Sequence, residues 1–552
     1  MGTPRVDSTR SAPRDAAPRR TPALLACLAG VAAVVLGVGV GELIAAVVSP
    51  ASSPVAAIGG TLIDLAPPWA KDTAIALFGT ADKIALLAGI ALVMLALAAL
   101  AGWVEARRPP WGRVIVAAFG VVGAVLAMLR PGAGAVSWIP SVVAGAVGAA
   151  ALWGLVRMLR PEASVTEASV TDVSTHPVPA SDPQERTAGS GHDIRRPDRR
   201  AFFAWSGAAV AAGVVAIAIT NARRAGAAAV TAVRNALRLP APAVAASAVP
   251  SGAELALPGL ARVVTPNDSF YRIDTALIVP EIDPADWSLR ITGMVERDVT
   301  ITWDELLALP LEESYTTLAC VSNEVGGSLI GNAKWLGYPI RDLLARAAPT
   351  SEADMVLSRS IDGFTASTPL EVLTYDRAAI LAVGMNDEPL PLEHGFPVRM
   401  VVPGLYGYVS ATKWVTELKV TRFDADQAYW STRGWSERGP IKLQSRIDVP
   451  RRAQGLKAGD TVIAGVAWQQ HVGVSGVEVQ IDEGEWMPAT LATAISDDTW
   501  VQWSLPWTAT EGDHLIRCRA TSATGEVQTD ARAHPAPDGA TGWHERFITV
   551  FA

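Results

Sequence analysis

The chain has 552 residues, a formal net charge of -8, 50% hydrophobic residues and only 18% charged ones. That balance excludes a single ordinary soluble domain, and the mild acidity gives no electrostatic reason to expect nucleic acid. Cys27, Cys320 and Cys518 are the only cysteines; they are too few for a disulfide framework and show no CxxC, haem-attachment or iron–sulfur spacing.

The apolar excess lies in the first 220 residues. Five runs approach the roughly 20 apolar residues that a helix needs to cross a bilayer core: residues 23–48, 84–104, 114–129, 138–156 and 201–220. Pro50, Pro54, Pro67 and Pro68 break the stretch between the first two into an outer loop. Arg5, Arg10, Arg14, Arg19 and Arg20 precede the first span, Arg107, Arg108 and Arg113 separate the second and third, and six arginines between 157 and 200 precede the fifth. The positive-inside rule puts these three segments in the cytoplasm and everything after residue 220 outside. No histidine lies in a span, and Glu42 is the one acidic residue expected there, near an interface. The spans therefore read as an anchor without a haem site or proton relay. Residues 161–198, rich in Ser, Thr, Pro and acidic residues, read as a disordered cytoplasmic linker. The following "RRPDRRAFFAW" suits a twin-arginine export signal and a plain positive-inside anchor equally.

The expected organisation is four transmembrane helices in 1–160, the linker 161–198, a fifth span in 199–222, a second linker in 223–254, a mixed α+β domain in 255–423 and a β-rich domain in 424–552. In the α+β part, "DWSLRITGMVERDVTITWDELLALP" reads as two strands and a short helix, and "LGYPIRDLLARAAP" as a helix with Ile340, Leu343, Leu344 and Ala347 on one face. "DMVLSRSIDGFTASTPLEVL" reads as two elements around an Asp362-Gly363 turn, and "PVRMVVPGLYG" as a buried strand. After residue 423, short alternating runs split by Gly, Asp and Pro suggest an immunoglobulin-like β-sandwich. Alternation in "HLIRCRATS" turns Cys518 inward beside Ile516 and Ala520, as core filler.

Cys320 differs. It ends "YTTLAC" and meets the polar, glycine-rich "VSNEVGG" at once. A thiolate is a soft ligand suited to a transition metal. Downstream, "HGFPVRMVVPGLYGYVSATKW" carries His394, Arg399 and Lys413, and upstream "TPNDSFYRID" adds aromatics and charge. Arginine and lysine fit phosphate oxygens. "LACVSN", "HGFPVR", "VVPG" and "KW" together resemble the sulfite oxidase family of molybdopterin-dependent oxidoreductases over about residues 255–552. The β-rich tail is similar to that family's dimerisation domain.

The resemblance implies a molybdenum ion held by Cys320 and by one molybdopterin. It implies that Phe270, Tyr271, Arg272 and Asp274 line the pterin. His394, Arg399, Ala411, Thr412 and Lys413 would hold it and its phosphate, with Asp362 standing nearest to a family aspartate. Ser322 and Asn323 either reach the cofactor or serve as turn residues. Arg272 and Trp435 would join Cys320 in catalysis. The sulfite-binding arginine of the family falls one place from Arg272, and its active-site tyrosine falls near Trp435, so sulfite itself is not carried over. The implied activity is oxo transfer outside the cytoplasmic membrane. Electrons would pass to or from a separate cytochrome or quinone-linked carrier, a small molecule would give or take the oxygen, and the chain would form a homodimer through its C-terminal domain. The alternatives are a reductase of methionine sulfoxide or other S- or N-oxides, and a non-enzymatic, membrane-anchored adhesion or scaffold module.

Overall fold

The computed structural model describes residues 22–48, 52–65, 82–129, 134–159, 199–223, 226–276, 279–451 and 455–552. The basic tail before the first span, the expected linker 161–198 and the arginines Arg195 and Arg196 lie outside them. The chain divides into two compact units, the first built from helices within residues 1–223 and the second mainly from residues 224–552.

The helical part comprises α1 (Ala23–Val48), α2 (Pro54–Leu65), α3 (Asp82–Arg107), α4 (Trp111–Met128), α5 (Ile139–Met158) and α6 (Arg199–Arg223). All but α2 are long and apolar enough to cross a membrane, and they fall where the apolar runs predict them. Part of the segment expected as a proline-broken loop is instead α2. Pro54 stands at its first position, where a missing backbone N–H costs nothing. Glu42, expected near an interface, is buried: Ser53 Oγ donates to its Oε1 at 2.7 Å and the Val55 N–H at 3.2 Å. Its carboxylate satisfies donors at the start of α2, which explains a charge on an apolar helix.

Small residues let these helices approach closely. A Cβ at Gly39 of α1 would lie 2.5 Å from the Gly213 carbonyl oxygen and 2.7 Å from its Cα on α6. Overpacking a fitted contact costs about 1–3 kcal/mol. Gly39→Leu is therefore expected to lower the thermal midpoint of the full chain in detergent, whereas Gly89→Leu, at a position with no atom near its Cβ, should leave it unchanged. Equal midpoints for the two variants would refute this packing.

In the second unit, residues expected as a linker carry α7 (Gly226–Ala236), whose Arg234 donates to the Leu390 and Pro389 carbonyls at 2.7 and 2.6 Å. Ten strands follow: β1 (Ser288–Gly293), β2 (Val299–Thr302), β3 (Glu312–Ala319), β4 (Ile330–Pro339), β5 (Met355–Ser360), β6 (Thr365–Pro369), β7 (Ile380–Met385), β8 (Glu388–Pro389), β9 (Arg399–Val401) and β10 (Val415–Thr421). They form one sheet ordered β2-β1-β10-β5-β6 and another ordered β3-β4-β7-β8, with β9 on β7. After β2, Thr302 and Glu305 form a capping box that starts the helix Trp303–Leu307. In the helix Ile340–Ala347 the predicted face of Ile340, Leu343, Leu344 and Ala347 is buried. Asp362-Gly363 makes the predicted turn between β5 and β6, with Gly363 at φ +91°.

The two sheets place the site. β1 pairs in parallel with β10, Ile291 opposite Leu418, which carries the segment before residue 288 toward the one after residue 410. β3 delivers Cys320 at its end, β9 begins at Arg399, and an isolated bridge joins Arg399 to Lys413.

The C-terminal residues form two further sheets. One runs in the order Gln444–Val449, Gly459–Trp468, Val501–Ala509, Thr490–Leu491, and the other in the order Leu456–Lys457, His544–Phe551, Gly512–Ser522, Val474–Ile481, Met487–Pro488. They share a core that includes Ile447, Ile463, Val479 and Trp503. Cys518 is fully buried in it with Ile516 and Ala520, as alternation predicts, and takes a hydrogen bond from Ser445 Oγ at 3.2 Å.

Candidate active site

β3 ends inside the α+β fold, so the thiol of Cys320 is delivered to a buried position, 9% exposed. A tight loop follows. The Cys320 N–H donates to the Leu329 carbonyl at 2.9 Å, its carbonyl accepts from the Asn323 N–H at 3.1 Å, and Asn323 Oδ1 accepts from the Leu329 N–H at 2.8 Å. Burial pushes the thiol pKa up, while the backbone and hydroxyl of Ser322 and the charge of Lys413 oppose that shift.

The thiol opens on a cavity enclosing about 870 Å³ of empty space, within the range of cofactor sites. One wall comes from the segment before β1: Phe270 and Tyr271 stack at 5.3 Å between ring centroids, followed by Asp274. A second wall is cationic. Arg399 sits over the Trp335 ring at 5.1 Å and donates to the His394 carbonyl at 3.0 Å. Lys413 donates to Asp274 Oδ2 at 3.0 Å and to the Glu393 carbonyl at 2.9 Å. Gly395, at φ +110°, lets the chain turn between these two: a Cβ there would meet Arg399 Cβ at 3.0 Å and Lys413 Cβ at 3.2 Å. A third wall is aromatic, with Phe364, Tyr408, Trp430 and Trp435.

Burial dominates the electrostatics. It lowers Arg399 to about 10, against the pull of Tyr271, and Lys413 to about 8, with Asp274 opposing and Arg399 and Arg272 assisting. It raises the Tyr271 phenol well above its ordinary value, helped by the nearby Cys320. It lowers His394 to about 3, with Lys413 and Arg399 reinforcing it. His394 is thus neutral, with Nε2–H on the Asn267 carbonyl at 3.2 Å, and its buried Nδ1 has no hydrogen-bond partner.

Ten sequence-predicted residues line the cavity: Phe270, Tyr271, Asp274, Cys320 and Ser322 from the earlier part of the domain, and Asp362, Arg399, Ala411, Lys413 and Trp435 from the later part. Asp362 faces it from the β5–β6 turn, where the Phe364 N–H donates to its Oδ1 at 3.2 Å. Four are absent from the lining. Arg272 pairs with Asp274 at 2.9 Å. Asn323 closes the loop after Cys320, which favours its turn role. His394 stands behind, edge-on to Phe270 at 5.5 Å. Thr412 Oγ1 is fully buried against Ser358 Oγ at 2.7 Å. Sequence reasoning missed Phe364, Tyr408 and Trp430. Phe364 follows the predicted Asp-Gly turn and was within reach of it; the other two have no local signal.

An orphaned buried acceptor, two cations sunk in a cavity wall and a buried soft sulfur make a donor set that fits an anionic, sulfur-coordinated metal cofactor. Among the described residues no group of three or more His, Cys, Asp or Glu is placed to hold a metal ion by protein ligands alone, so the ligands beyond Cys320 would come from the cofactor.

The β-rich part reaches this site. Arg446 Nη1 donates to the Gly327 carbonyl at 2.8 Å, the Trp500 N–H donates to Thr317 Oγ1 at 2.9 Å, and Gln470 Nε2 donates to the Thr317 carbonyl at 3.1 Å. Residues 317 and 327, on either side of Cys320, are thus held from the C-terminal sheets.

Residues 276–430 match the family model "Oxidoreductase molybdopterin binding domain". The mitochondrial sulfite oxidase of Drosophila melanogaster is 31% identical over 345 residues, covering 54% of this chain and 58% of that protein. The alignment thus spans little more than half the length of that relative. The oxidoreductase YuiH of Bacillus subtilis is 32% identical over 180 residues, covering 32% of this chain and 87% of that protein. The solved sulfane dehydrogenase SoxCD of Paracoccus pantotrophus superposes with a TM-score of 0.47 at 24% identity, over 54% of this chain and 85% of that one, too partial a likeness to build on.

Proposed function

The chain belongs to the sulfite oxidase family of molybdopterin oxidoreductases, and from that premise we propose that it is an oxo-transfer enzyme whose molybdenum is held by Cys320. The observation that carries this is the buried Cys320 thiol on a cavity that also holds Arg399 and Lys413. When bound, the cofactor supplies two-electron oxo transfer with water as oxygen source or sink.

The chain's own residues bind and orient. Arg399 offers a planar fork and Lys413 a point charge to the cofactor phosphate. The stacked Phe270 and Tyr271 give the pterin a flat apolar wall, and Asp274 and Asp362 accept from its N–H groups. The Nδ1 lone pair of His394 accepts a further donor. The ring wall of Tyr408, Trp430 and Trp435 limits water at the thiol.

The reading extends to placement. Five spans with a cytoplasmic N-terminus put this site outside the membrane, anchored in lipid, with modules at 255–423 and 424–552. The latter is an immunoglobulin-like sandwich through which two copies pair. The chain carries no haem or iron–sulfur spacing, so one-electron steps run to a separate carrier. Reduction of S- or N-oxides is the second reading, favoured by the ring wall at the position of the family's anion-binding groups.

Purified full-length chain from a host that makes molybdopterin is expected to contain about one molybdenum and one pterin per chain, measured by elemental analysis and by fluorescence of the oxidised pterin. Chain with neither overturns the reading.

A further inference from the structure

The cavity wall carries four charged side chains: Asp274, Asp362, Arg399 and Lys413. Two negative and two positive charges cancel before any cofactor enters. Both cations are already engaged. Arg399 donates to the His394 and Met400 carbonyls, and Lys413 to Asp274 and the Glu393 carbonyl. Arg272, the nearest further cation in sequence, pairs with Asp274. A cofactor phosphate brought against Arg399 and Lys413 leaves the cavity with net negative charge.

The remainder of the wall is aromatic. Tyr408 and Trp435 lie 5.9 Å apart, and Trp435 and Trp430 5.8 Å apart, between ring centroids. Phe364 extends the surface and packs on Tyr429 at 5.8 Å. The Tyr408 hydroxyl spends its proton on the protein, donating to the Ser436 carbonyl at 2.8 Å. Ring faces carry negative quadrupole density. A small oxyanion entering here would lose its hydration without gaining a cation, a cost of several kcal/mol. An uncharged molecule with an apolar substituent loses little hydration and gains ring contact.

We propose that this cavity takes an uncharged sulfoxide bearing an apolar or aromatic substituent, in preference to sulfite or any small oxyanion. The inference rests on the oxo-transfer reading of the same site. In balance, one sulfoxide, two protons and two electrons give one thioether and one water. The sulfur–oxygen bond breaks, the oxygen leaves as water with both protons, and sulfur is reduced by the two electrons. Those electrons come one at a time from a reduced one-electron carrier.

The test uses the full chain in detergent, with molybdenum and pterin quantified on the same sample. Calorimetric titration with methyl phenyl sulfoxide is compared with titration with sulfate, the unreactive mimic of sulfite. The sulfoxide is expected to bind at least tenfold more tightly. Trp435→Ala should weaken the sulfoxide at least tenfold and leave sulfate unchanged, and Trp435→Phe, which keeps a ring, should restore most of the affinity. Sulfate binding as tightly as the sulfoxide, no detectable binding of either, or loss of affinity equal in Trp435→Ala and Trp435→Phe overturns the inference while leaving the metal site intact. A sample without molybdenum and pterin instead overturns the oxo-transfer reading on which it rests.

Discussion

Cys320→Ser is expected to abolish oxo transfer while leaving a folded chain that still retains pterin. The substitution exchanges a sulfur for an oxygen of similar shape at a site where Ser322 already donates to the side chain, so stability should change by no more than about 1 kcal/mol. A serine hydroxyl is a hard, protonated donor and a poor substitute for a thiolate on a soft metal centre. Removing a partner that merely orients a metal ligand costs about 10–100-fold, and removing the ligand itself should cost more than about 100-fold. Arg399 and Lys413 remain, so the phosphate anchor remains. The measurement is steady-state turnover with an artificial electron carrier, beside pterin content and the thermal midpoint. Wild-type turnover in the serine variant would show that Cys320 is not the ligand.

Gly326→Ala is expected to be nearly as damaging, although residue 326 lines no part of the cavity. Gly326 sits at φ +77°, where a side chain is strained, and a Cβ there would lie 2.2 Å from Cδ2 of His544 and 2.3 Å from its Nε2. His544 cannot retreat freely: its Nδ1 accepts from the Ile447 N–H at 2.9 Å inside the β-rich part. The loop must move, and it is the loop that begins at Cys320. A misplacement of about 1 Å can cost about 100-fold in rate, and a fall of that order in kcat is the expected result. Two buried thiols separate local from global effects. In the cofactor-free full chain, Gly326→Ala should speed alkylation of Cys320 while Cys518, fully buried in the C-terminal core, stays protected. The double variant Gly326→Ala/His544→Ala removes the ring and should recover part of the lost activity, a coupling that additive effects do not produce. Faster alkylation of both thiols together would mean general destabilisation and defeat the assignment.

The same residues mark what was legible in the chain. The alternation around Cys518, the 3.6-residue face of Ile340, Leu343, Leu344 and Ala347, and the apolar runs of the first 220 residues are local patterns. Each records which way one element turns its side chains, and each is found as read. Most of the nominated site residues line one cavity because the motifs that nominated them are themselves tied to a cofactor. Arg272, Asn323, His394 and Thr412 stand off it. Local hydrogen bonding decided them: an ion pair two residues away, a loop closure six residues away, a carbonyl of Asn267 and a hydroxyl of Ser358.

The sequence by itself determined the five apolar spans, the character of the soluble part and the chemistry of the thiol, since these follow from composition, period and residue type over short stretches. Only the tertiary structure decided what the thiol faces. The parallel pairing of β1 with β10, across more than a hundred residues, joins the Phe270–Asp274 wall to Lys413. The chain beyond β10 returns with Trp430 and Trp435 to close the third wall. Contacts of that range leave no periodic trace in either partner, because each strand's alternation records only that one face is buried and not what buries it. The hold of Arg446, Trp500 and His544 on the strand and loop around Cys320 is of the same kind. It makes the β-rich tail part of the metal site's support.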